Sequence, residues 1–300
     1  MSSSSSRRLR GIVPAIITPF TERGEVDHGM LERQVGYLSD AGAHGIFACG
    51  GTGEGAYLSV TERQQILRTI RTALGPDRIL CAAVLAPSTA GVLEQLPALA
   101  DCGADYVVAA APYYYAMRQV DLLDHFRRIA AEAFAPLIAY NIPSATHNPM
   151  TAETMVELSG VPNIAGVKDS SGDFVLLSRA LLADHAEDFS WFVGEDYLCA
   201  PALLCGADGV VSGLANARVE PFVDLFQAGE RGDPAGVLAA QARINRLYEI
   251  VHAVGRGNPA IKTAAALAGR SGYSMRVATQ TTTEAERAAV AAILDAWDRP

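Results

Sequence analysis

Short apolar runs alternate with longer amphipathic segments eight times before residue 230 of this 300-residue chain. Most of the runs are continuously apolar rather than alternating in polarity, which is typical of parallel strands buried on both faces. They span residues 11–20, 44–51, 78–86, 106–112, 136–143, 164–169, 189–196 and 209–214. Eight strand–helix units in this order predict an α/β fold, the (β/α)8 TIM barrel; a doubly wound open sheet is the alternative.

The segments between the runs carry the signals of helix boundaries. Residues 61–75 place Thr61 and Gln64 in the register of a capping box and reach Gly75 just before Pro76. Capping boxes begin helices, and a glycine followed by a proline ends them. This segment is therefore expected to form a helix that begins at Thr61 and stops at the glycine.

Beyond the eighth run the pattern changes to one helical segment after another, without further strand candidates. We therefore predict three parts of the chain. They are a disordered tail over residues 1–10, a catalytic barrel over residues 11–228 and a C-terminal α-helical region over residues 229–300.

Charge and composition exclude several classes of partner. The net charge of −9 repels phosphate backbones and anionic lipid, so neither nucleic acid nor a membrane is expected to bind. The N-terminus lacks the apolar segment of a signal peptide, and no apolar run is long enough to span a bilayer. The five cysteines form no C-x-x-C pair, which favours reduced thiols in a cytoplasmic protein. The six histidines lack metal-binding spacing, so we expect no metal and no other cofactor.

Lysine is rare in this chain: of 24 cationic Lys and Arg residues only Lys168 and Lys262 are lysines. Lys168 ends the sixth apolar run, and TIM-barrel active sites form at the carboxyl ends of the strands. An amine buried there is favoured in its neutral form, which attacks a ketone and forms a Schiff base, whereas arginine cannot. The alternative is a lysine that pairs with Asp169 at the barrel rim.

Tyrosines follow two of the neighbouring strands. Tyr140 ends the fifth run in "YNIPS", where its phenol could move protons at an imine on the sixth strand; the alternative is a core anchor. The fourth run ends in "PYYY", and three successive tyrosines cannot all point into one core. At least one of them is expected to reach a pocket or a partner subunit, unless it makes only a generic aromatic contact.

A glycine-rich stretch, "CGGTGEG", ends the second run. Glycine lets backbone amides approach a ligand closely, and the amides around Gly51 and Thr52 could hold a carboxylate. The stretch lacks the G-K-[ST] of a phosphate loop, which makes a nucleotide-dependent enzyme a weak hypothesis. A simple tight turn remains the alternative.

The ordered motifs "GGTGE", "PYYY", "YNIPS" and "GVKDS" resemble those of the dihydrodipicolinate synthase / N-acetylneuraminate lyase family, and the similarity runs from about Gly11 to beyond Ala268. The resemblance implies a barrel with a C-terminal helical region that assembles as a homotetramer, a dimer of dimers. It also implies that Lys168 forms the imine with pyruvate or another 2-keto acid and that Tyr140 transfers protons.

The same resemblance implies roles for four further residues. Gly51 and Thr52 would bind the substrate carboxylate, and Val211 would contact the keto acid. Tyr114 would reach across the tight dimer interface to complete a hydroxyl relay.

Two departures from the family pattern bear on the substrate. Synthases that condense pyruvate with aspartate semialdehyde carry threonine and arginine where this chain has Gly51 and Ala145. Loss of a guanidinium that grips a carboxylate weakens transition-state binding, and the motifs look closer to branches that act on sugar-derived keto acids. We therefore predict a Schiff-base lyase that performs aldol cleavage, condensation or dehydration on a 2-keto-3-deoxy acid. The alternatives are 4-hydroxy-tetrahydrodipicolinate synthase and a non-catalytic barrel that binds a keto acid.

Overall fold

A computed structural model describes residues 9–299, and all eight predicted runs contain a strand. The strands are β1 (Gly11–Ile12), β2 (Gly45–Ala48), β3 (Ile79–Val84), β4 (Tyr106–Ala110), β5 (Leu137–Asn141), β6 (Ile164–Asp169), β7 (Ser190–Val193) and β8 (Gly209–Val210). Their order in the sheet is β1-β8-β7-β6-β5-β4-β3-β2, and every neighbouring pair is parallel.

The two ends of this sheet meet. The amide of Phe47 in β2 donates to the carbonyl of Pro14 at 2.9 Å, and the amide of Ile16 donates to the carbonyl of Phe47 at 3.0 Å. These bonds join β2 to the segment that follows β1, so the sheet closes on itself. The structure thus confirms the TIM barrel and excludes the open-sheet alternative.

Helices follow the strands and continue beyond β8. Those of the barrel are α1 (His28–Asp40), α2 (Val60–Leu74), α3 (Thr89–Leu93), α4 (Leu96–Leu99), α5 (Gln119–Glu132), α6 (Pro143–Thr146), α7 (Ala152–Ser159), α8 (Phe174–Leu181), α9 (Cys199–Leu204) and α10 (Glu220–Glu230). The C-terminal helices are α11 (Pro234–Leu247), α12 (Glu249–Val254), α13 (Gly257–Leu267) and α14 (Glu284–Trp297). None of the helices formed by residues 9–299 combines the length and apolar character needed to cross a membrane.

The start of α2 differs from the prediction. Its capping box is formed by Ser59 and Glu62, since the Ser59 side chain accepts from the Glu62 amide and the Glu62 carboxylate accepts from the Ser59 amide. Ser59 has the extended backbone that an N-cap requires, with ψ of 161°, whereas Thr61 is already helical. The predicted end at Gly75 is confirmed.

Two apolar layers build the interior. The inner barrel cluster fills the barrel and contains thirteen buried residues: Leu9, Val13, Ala15, Phe47, Cys81, Ala83, Tyr106, Val108, Ala110, Ile138, Tyr140, Phe192 and Val211. The outer layer lies between strands and helices, and it includes buried residues of α11, α13 and α14. The C-terminal helices therefore share one continuous core with the barrel.

The predicted tail over residues 1–10 lies outside the described residues except for its last two. Leu9 is buried in the inner barrel cluster, and the guanidinium of Arg10 pairs with Glu230 at 2.7 Å. Helix α10 ends at Glu230, two residues beyond the predicted barrel boundary at 228.

Candidate active site

Lys168 and Tyr140 lie side by side on β6 and β5, where their Cα atoms are register partners. The Lys168 side chain is buried, and its Nζ lies 4.0 Å from the ring centroid of Tyr140 and 4.5 Å from that of Phe47. Both rings belong to the inner barrel cluster, so the amine is enclosed by aromatic faces rather than by water.

The neighbouring Asp169 has other partners. One of its carboxylate oxygens accepts from the Asn141 amide at 2.6 Å, and the other accepts from the Ser171 hydroxyl at 2.8 Å. Within residues 9–299 Lys168 forms no ion pair with it. The arrangement excludes the alternative in which Lys168 is a rim lysine held by Asp169.

Gly194, at the end of β7, leaves space for the lysine chain. A Cβ at this position would lie 2.7 Å from Lys168 Cε and 2.0 Å from Ser170 Oγ, closer than real side chains approach. The Ser170 hydroxyl in turn lies 3.5 Å from the Tyr140 hydroxyl. Ser170 is thus a polar neighbour of Tyr140 that the sequence analysis did not identify, although it stands in the quoted "GVKDS" motif.

Asp196 is a second residue that the sequence analysis missed. Its carboxyl accepts from the Ser212 hydroxyl at 2.5 Å. Burial of the carboxyl raises its pKa to about 7, although the Ser212 hydrogen bond and the positive charge of Lys168 both lower it. Asp196 is therefore a carboxyl with a pKa near neutral pH whose charged form the Lys168 cation favours.

The glycine-rich loop after β2 has an unusual backbone. Cys49 and Glu54, which flank it, both adopt left-handed conformations with φ of 58° and 55°. Side chains fix the loop carbonyls, since the Asn258 amide donates to Gly51 O at 2.8 Å and the Thr18 hydroxyl donates to Gly53 O at 2.7 Å.

The backbone amides of Gly51 and Thr52 are the chemically useful part of this loop. Among residues 9–299 neither amide donates to a protein acceptor. Two adjacent unpaired N–H groups suit a small carboxylate.

The second lysine of the chain anchors this loop. Lys262, in α13, donates to Glu54 Oε1 and to the carbonyl of Ser274, and both side chains of the Lys262–Glu54 ion pair are almost completely buried. The Arg276 amide donates to the other oxygen of Glu54 at 2.9 Å. Burial lowers the pKa of Lys262, and the charge of Glu54 opposes that shift. The pair ties the loop to the C-terminal helical region.

The other predicted site residues fall into two groups. Thr52 comes close to Gly213, because a Cβ on Gly213 would lie 2.5 Å from the Thr52 hydroxyl, and Val211 packs in the inner barrel cluster with Tyr140. Both therefore belong to the barrel end and interior rather than to the outer surface. Tyr114 is separate: it is 83% exposed, has φ of 86° and stacks edge-on against Tyr115.

A cavity of ≈ 390 Å³ has Gly51 and Tyr140 in its wall, and the Lys168 amine lies 4.0 Å from the ring centroid of that tyrosine. Its size lies within the range of about 300–1,000 Å³ usual for small-molecule sites. Of the three consecutive tyrosines, Tyr113 lines it. The wall also includes Ala145, at the position where the sequence analysis noted a missing arginine.

Comparisons with known proteins agree with this geometry. The sequence profile of the Dihydrodipicolinate synthetase family matches residues 8–297. An uncharacterized DapA-like lyase of Halobacterium salinarum is 34% identical over 95% of this chain and 93% of its own length. The 4-hydroxy-tetrahydrodipicolinate synthase of Neisseria gonorrhoeae is 32% identical over 96% of this chain and 98% of its own length.

Solved structures show the same architecture. Dihydrodipicolinate synthase from Acinetobacter baumannii, crystallised with pyruvate, superposes with a TM-score of 0.90 at 29% identity and covers 96% of this chain and 98% of its own. The Aquifex aeolicus enzyme of that name gives 0.89 at 27% identity, with 97% and 98% coverage. The barrel, the buried amine at its mouth and these similarities over nearly the whole length together show that the chain belongs to the dihydrodipicolinate synthetase family and is an aldolase-type lyase.

Proposed function

We propose that the protein forms a Schiff base between Lys168 and pyruvate or another 2-keto acid. The observation that carries this proposal is the Lys168 amine, which is buried against the rings of Tyr140 and Phe47. The pyruvate complex of the A. baumannii relative supports a keto acid as the substrate. A non-catalytic keto-acid-binding barrel would need neither a buried amine nor a phenol beside it.

The chemistry follows from the positions of these groups. The amides of Gly51 and Thr52 hold the carboxylate of the keto acid, which places C2 near the amine. The Lys168 amine, after it gives up a proton, adds to C2, and the resulting carbinolamine takes up a proton and loses its hydroxyl as water, leaving a protonated imine. Loss of a C3 proton then gives an enamine. Tyr140 carries these protons, with Ser170 as its polar neighbour.

The enamine has three possible fates, which are bond formation to an aldehyde, release after carbon–carbon cleavage and expulsion of a hydroxyl as water. We assign the protein to aldol cleavage or condensation, or to dehydration, of a 2-keto-3-deoxy acid. The name and similarity of the N. gonorrhoeae relative favour 4-hydroxy-tetrahydrodipicolinate synthase as a second candidate. Ala145 argues against it, because this side chain cannot bind a substrate carboxylate.

We also propose assembly as a homotetramer in the cytoplasm. Two adjacent tyrosines, Tyr114 and Tyr115, are 83% and 76% exposed, and exposed aromatic pairs of this kind are typical of protein interfaces. In such an assembly Tyr114 would reach the active site of a partner subunit.

Borohydride reduction in the presence of pyruvate tests the covalent step. Reduction fixes an imine as a stable adduct, and the two lysines of the chain make its location unambiguous by peptide mass mapping. We expect the pyruvate-derived mass on Lys168, none on Lys262, and none anywhere in the Lys168→Arg variant. Saturable pyruvate binding without an adduct would instead favour the non-catalytic barrel.

A further inference from the structure

Arg63, in α2, is a buried cation that the proposed mechanism does not use. It is 3% exposed, although arginine is rarely buried to this extent unless it is paired. Within residues 9–299 it forms no ion pair with a carboxylate. Its Nη2 donates to Gly55 O at 2.8 Å, and longer contacts reach three more carbonyls, those of Leu58 at 3.4 Å and of Ala83 and Leu85 at 3.5 Å. The guanidinium therefore has hydrogen-bond partners but no counter-charge.

The titratable groups around Arg63 do not change this balance. Burial lowers the pKa of Arg63, and the charge effects that oppose the shift come from the Cys49 thiol and the Tyr113 phenol, neither of which is a carboxylate. Burial raises the pKa of Cys49 to about 12, so this thiol is neutral at physiological pH. A guanidinium stays protonated under the same conditions. One full positive charge is thus fixed inside the protein.

The other charges near the glycine-rich loop cancel in pairs. Glu54, at the end of the loop, pairs with Lys262. Arg276, whose amide also binds Glu54, pairs through its guanidinium with Glu62 at 2.5 Å. Arg63 is not part of either pair, so these five charged groups together carry one excess positive charge.

The guanidinium of Arg63 lies behind the glycine-rich loop. It contacts the carbonyls of Gly55 and Leu85, and both of these residues line the cavity. The Gly55 amide in turn donates to Gly50 O at 2.9 Å, and the next residue is Gly51, whose own amide has no protein acceptor. The main chain of the loop therefore separates the charge from the cavity and from the expected carboxylate site.

We propose that Arg63 supplies the positive charge that makes the amides of Gly51 and Thr52 selective for an anionic keto acid. The inference rests on the Schiff-base function proposed above and adds the source of charge for its carboxylate site. Two N–H groups give a carboxylate direction but only partial charges. A buried cation adds a full charge, and the protein between the two has a lower dielectric constant than water, so the attraction is weakly screened.

Arg63 does not touch the substrate in this proposal. It acts through the loop as a specificity-determining residue, and the substrate carboxylate provides the negative charge that the protein does not place beside the guanidinium. A ligand with the same keto group but no charge gains nothing from Arg63. This difference distinguishes an electrostatic role from a structural one.

Substitution of Arg63 in the full-length protein tests the proposal. Borohydride trapping on Lys168 is measured over a concentration series of pyruvate and of methyl pyruvate, an uncharged ester with the same keto group. In Arg63→Met we expect half-maximal trapping to need about tenfold more pyruvate, the effect of two unit charges on the order of 10 Å apart at an effective dielectric constant of ~20. The concentration needed of methyl pyruvate should change by less than about twofold, because the ester carries no charge.

A second variant separates the charge from the hydrogen bond. Arg63→Gln removes the charge but keeps an N–H donor for Gly55 O, and it is expected to behave like Arg63→Met. Both variants remove an unpaired buried charge, so both are expected to fold, which circular dichroism checks. Arg68→Met is the matched control, because Arg68 is an exposed arginine of the same helix. It should keep the pyruvate response of the parent protein.

The two ligands and two variants give distinct outcomes. Equal weakening of pyruvate and methyl pyruvate would show that Arg63 only shapes the loop, and this overturns the proposal. An unchanged pyruvate response in Arg63→Met overturns it too, as does a response that Arg63→Gln retains and Arg63→Met loses. All of these results leave trapping on Lys168 of the parent intact. Absence of trapping in the parent overturns the Schiff-base function, and the role of Arg63 with it.

Discussion

The buried ion pair between Lys262 and Glu54 leads to a quantitative prediction about stability and about the carboxylate loop. Lys262 is 1% exposed and Glu54 is 4% exposed, and their atoms join segments 208 residues apart in the chain. Lys262→Met keeps most of the side-chain volume but leaves the Glu54 carboxylate buried with only the Arg276 amide as a partner. Breaking one side of a buried pair costs about 3–5 kcal/mol.

A double-mutant cycle measures this coupling. Glu54→Gln removes the buried negative charge and keeps an acceptor for the Arg276 amide. The double variant is therefore expected to recover about 2 kcal/mol relative to the sum of the two single variants, within the range known for directly coupled residues. The free energy of unfolding is obtained from urea titrations followed by circular dichroism and by tryptophan fluorescence.

A surface pair provides the control for that cycle. Arg179 and Glu153 form an ion pair with side chains that are 62% and 69% exposed, so Arg179→Met is expected to cost less than about 1 kcal/mol. A loss below about 1 kcal/mol in Lys262→Met, or strict additivity in the cycle, would refute the assignment of this pair as the anchor. We also expect the Lys262→Met variant, once folded, to show a higher KM for pyruvate, because the loop that carries the Gly51 and Thr52 amides is no longer held.

Three further predictions concern single sites. Gly194→Ala is expected to abolish borohydride trapping of pyruvate, because the new Cβ would lie 2.7 Å from Lys168 Cε. Gly51→Ala is the control and should retain trapping, because a Cβ at Gly51 meets no atom within 4 Å. The raised pKa of Asp196, about 7 against an ordinary 3.8, favours the folded state when the carboxyl is protonated. This contribution to the free energy of unfolding, at most about 4 kcal/mol, is complete below pH ~4 and is lost as the pH rises through 7. Urea titrations at several pH values should therefore show a decline in stability with rising pH, and Asp196→Asn should remove that decline. Burial lowers the pKa of His125 from 6.5 to about 4. The neutral imidazole therefore contributes about 3 kcal/mol to the free energy of unfolding, which is complete above pH ~6.5 and is lost as the pH falls through 4. His125→Gln should reduce the loss of stability in that pH range.

Strand prediction succeeded here because each apolar run carries its own signal. A parallel strand covered on both faces must be apolar at nearly every position, and the run 106–112 shows this without reference to any other part of the chain. The proximity of Lys168 and Tyr140 followed from the same source, since consecutive strands of a barrel are neighbours and their carboxyl ends meet.

The remaining site residues could not be found in this way. Asp196 and Ser170 depend on where side chains point across neighbouring strands, and an acidic residue or a serine after a strand is too common to single out. The N-cap of α2 was predicted at Thr61, two residues too late. Both Ser59 and Thr61 are followed three residues later by a side chain that can complete a capping box, Glu62 and Gln64, and only the backbone conformation distinguishes the two positions.

The amino-acid sequence by itself determined the barrel, the family resemblance and a lysine at the end of the sixth strand, because all of these depend on local apolar patterns and on strand order. Tertiary structure alone decided the surroundings of the two lysines. Lys168 is enclosed by aromatic rings, and Lys262 is buried against a carboxylate 208 residues away. It also decided which side chains line the cavity, among them no arginine, lysine or histidine of residues 9–299. These properties arise from side chains that meet only when the barrel closes, and no pattern along the chain encodes such distances.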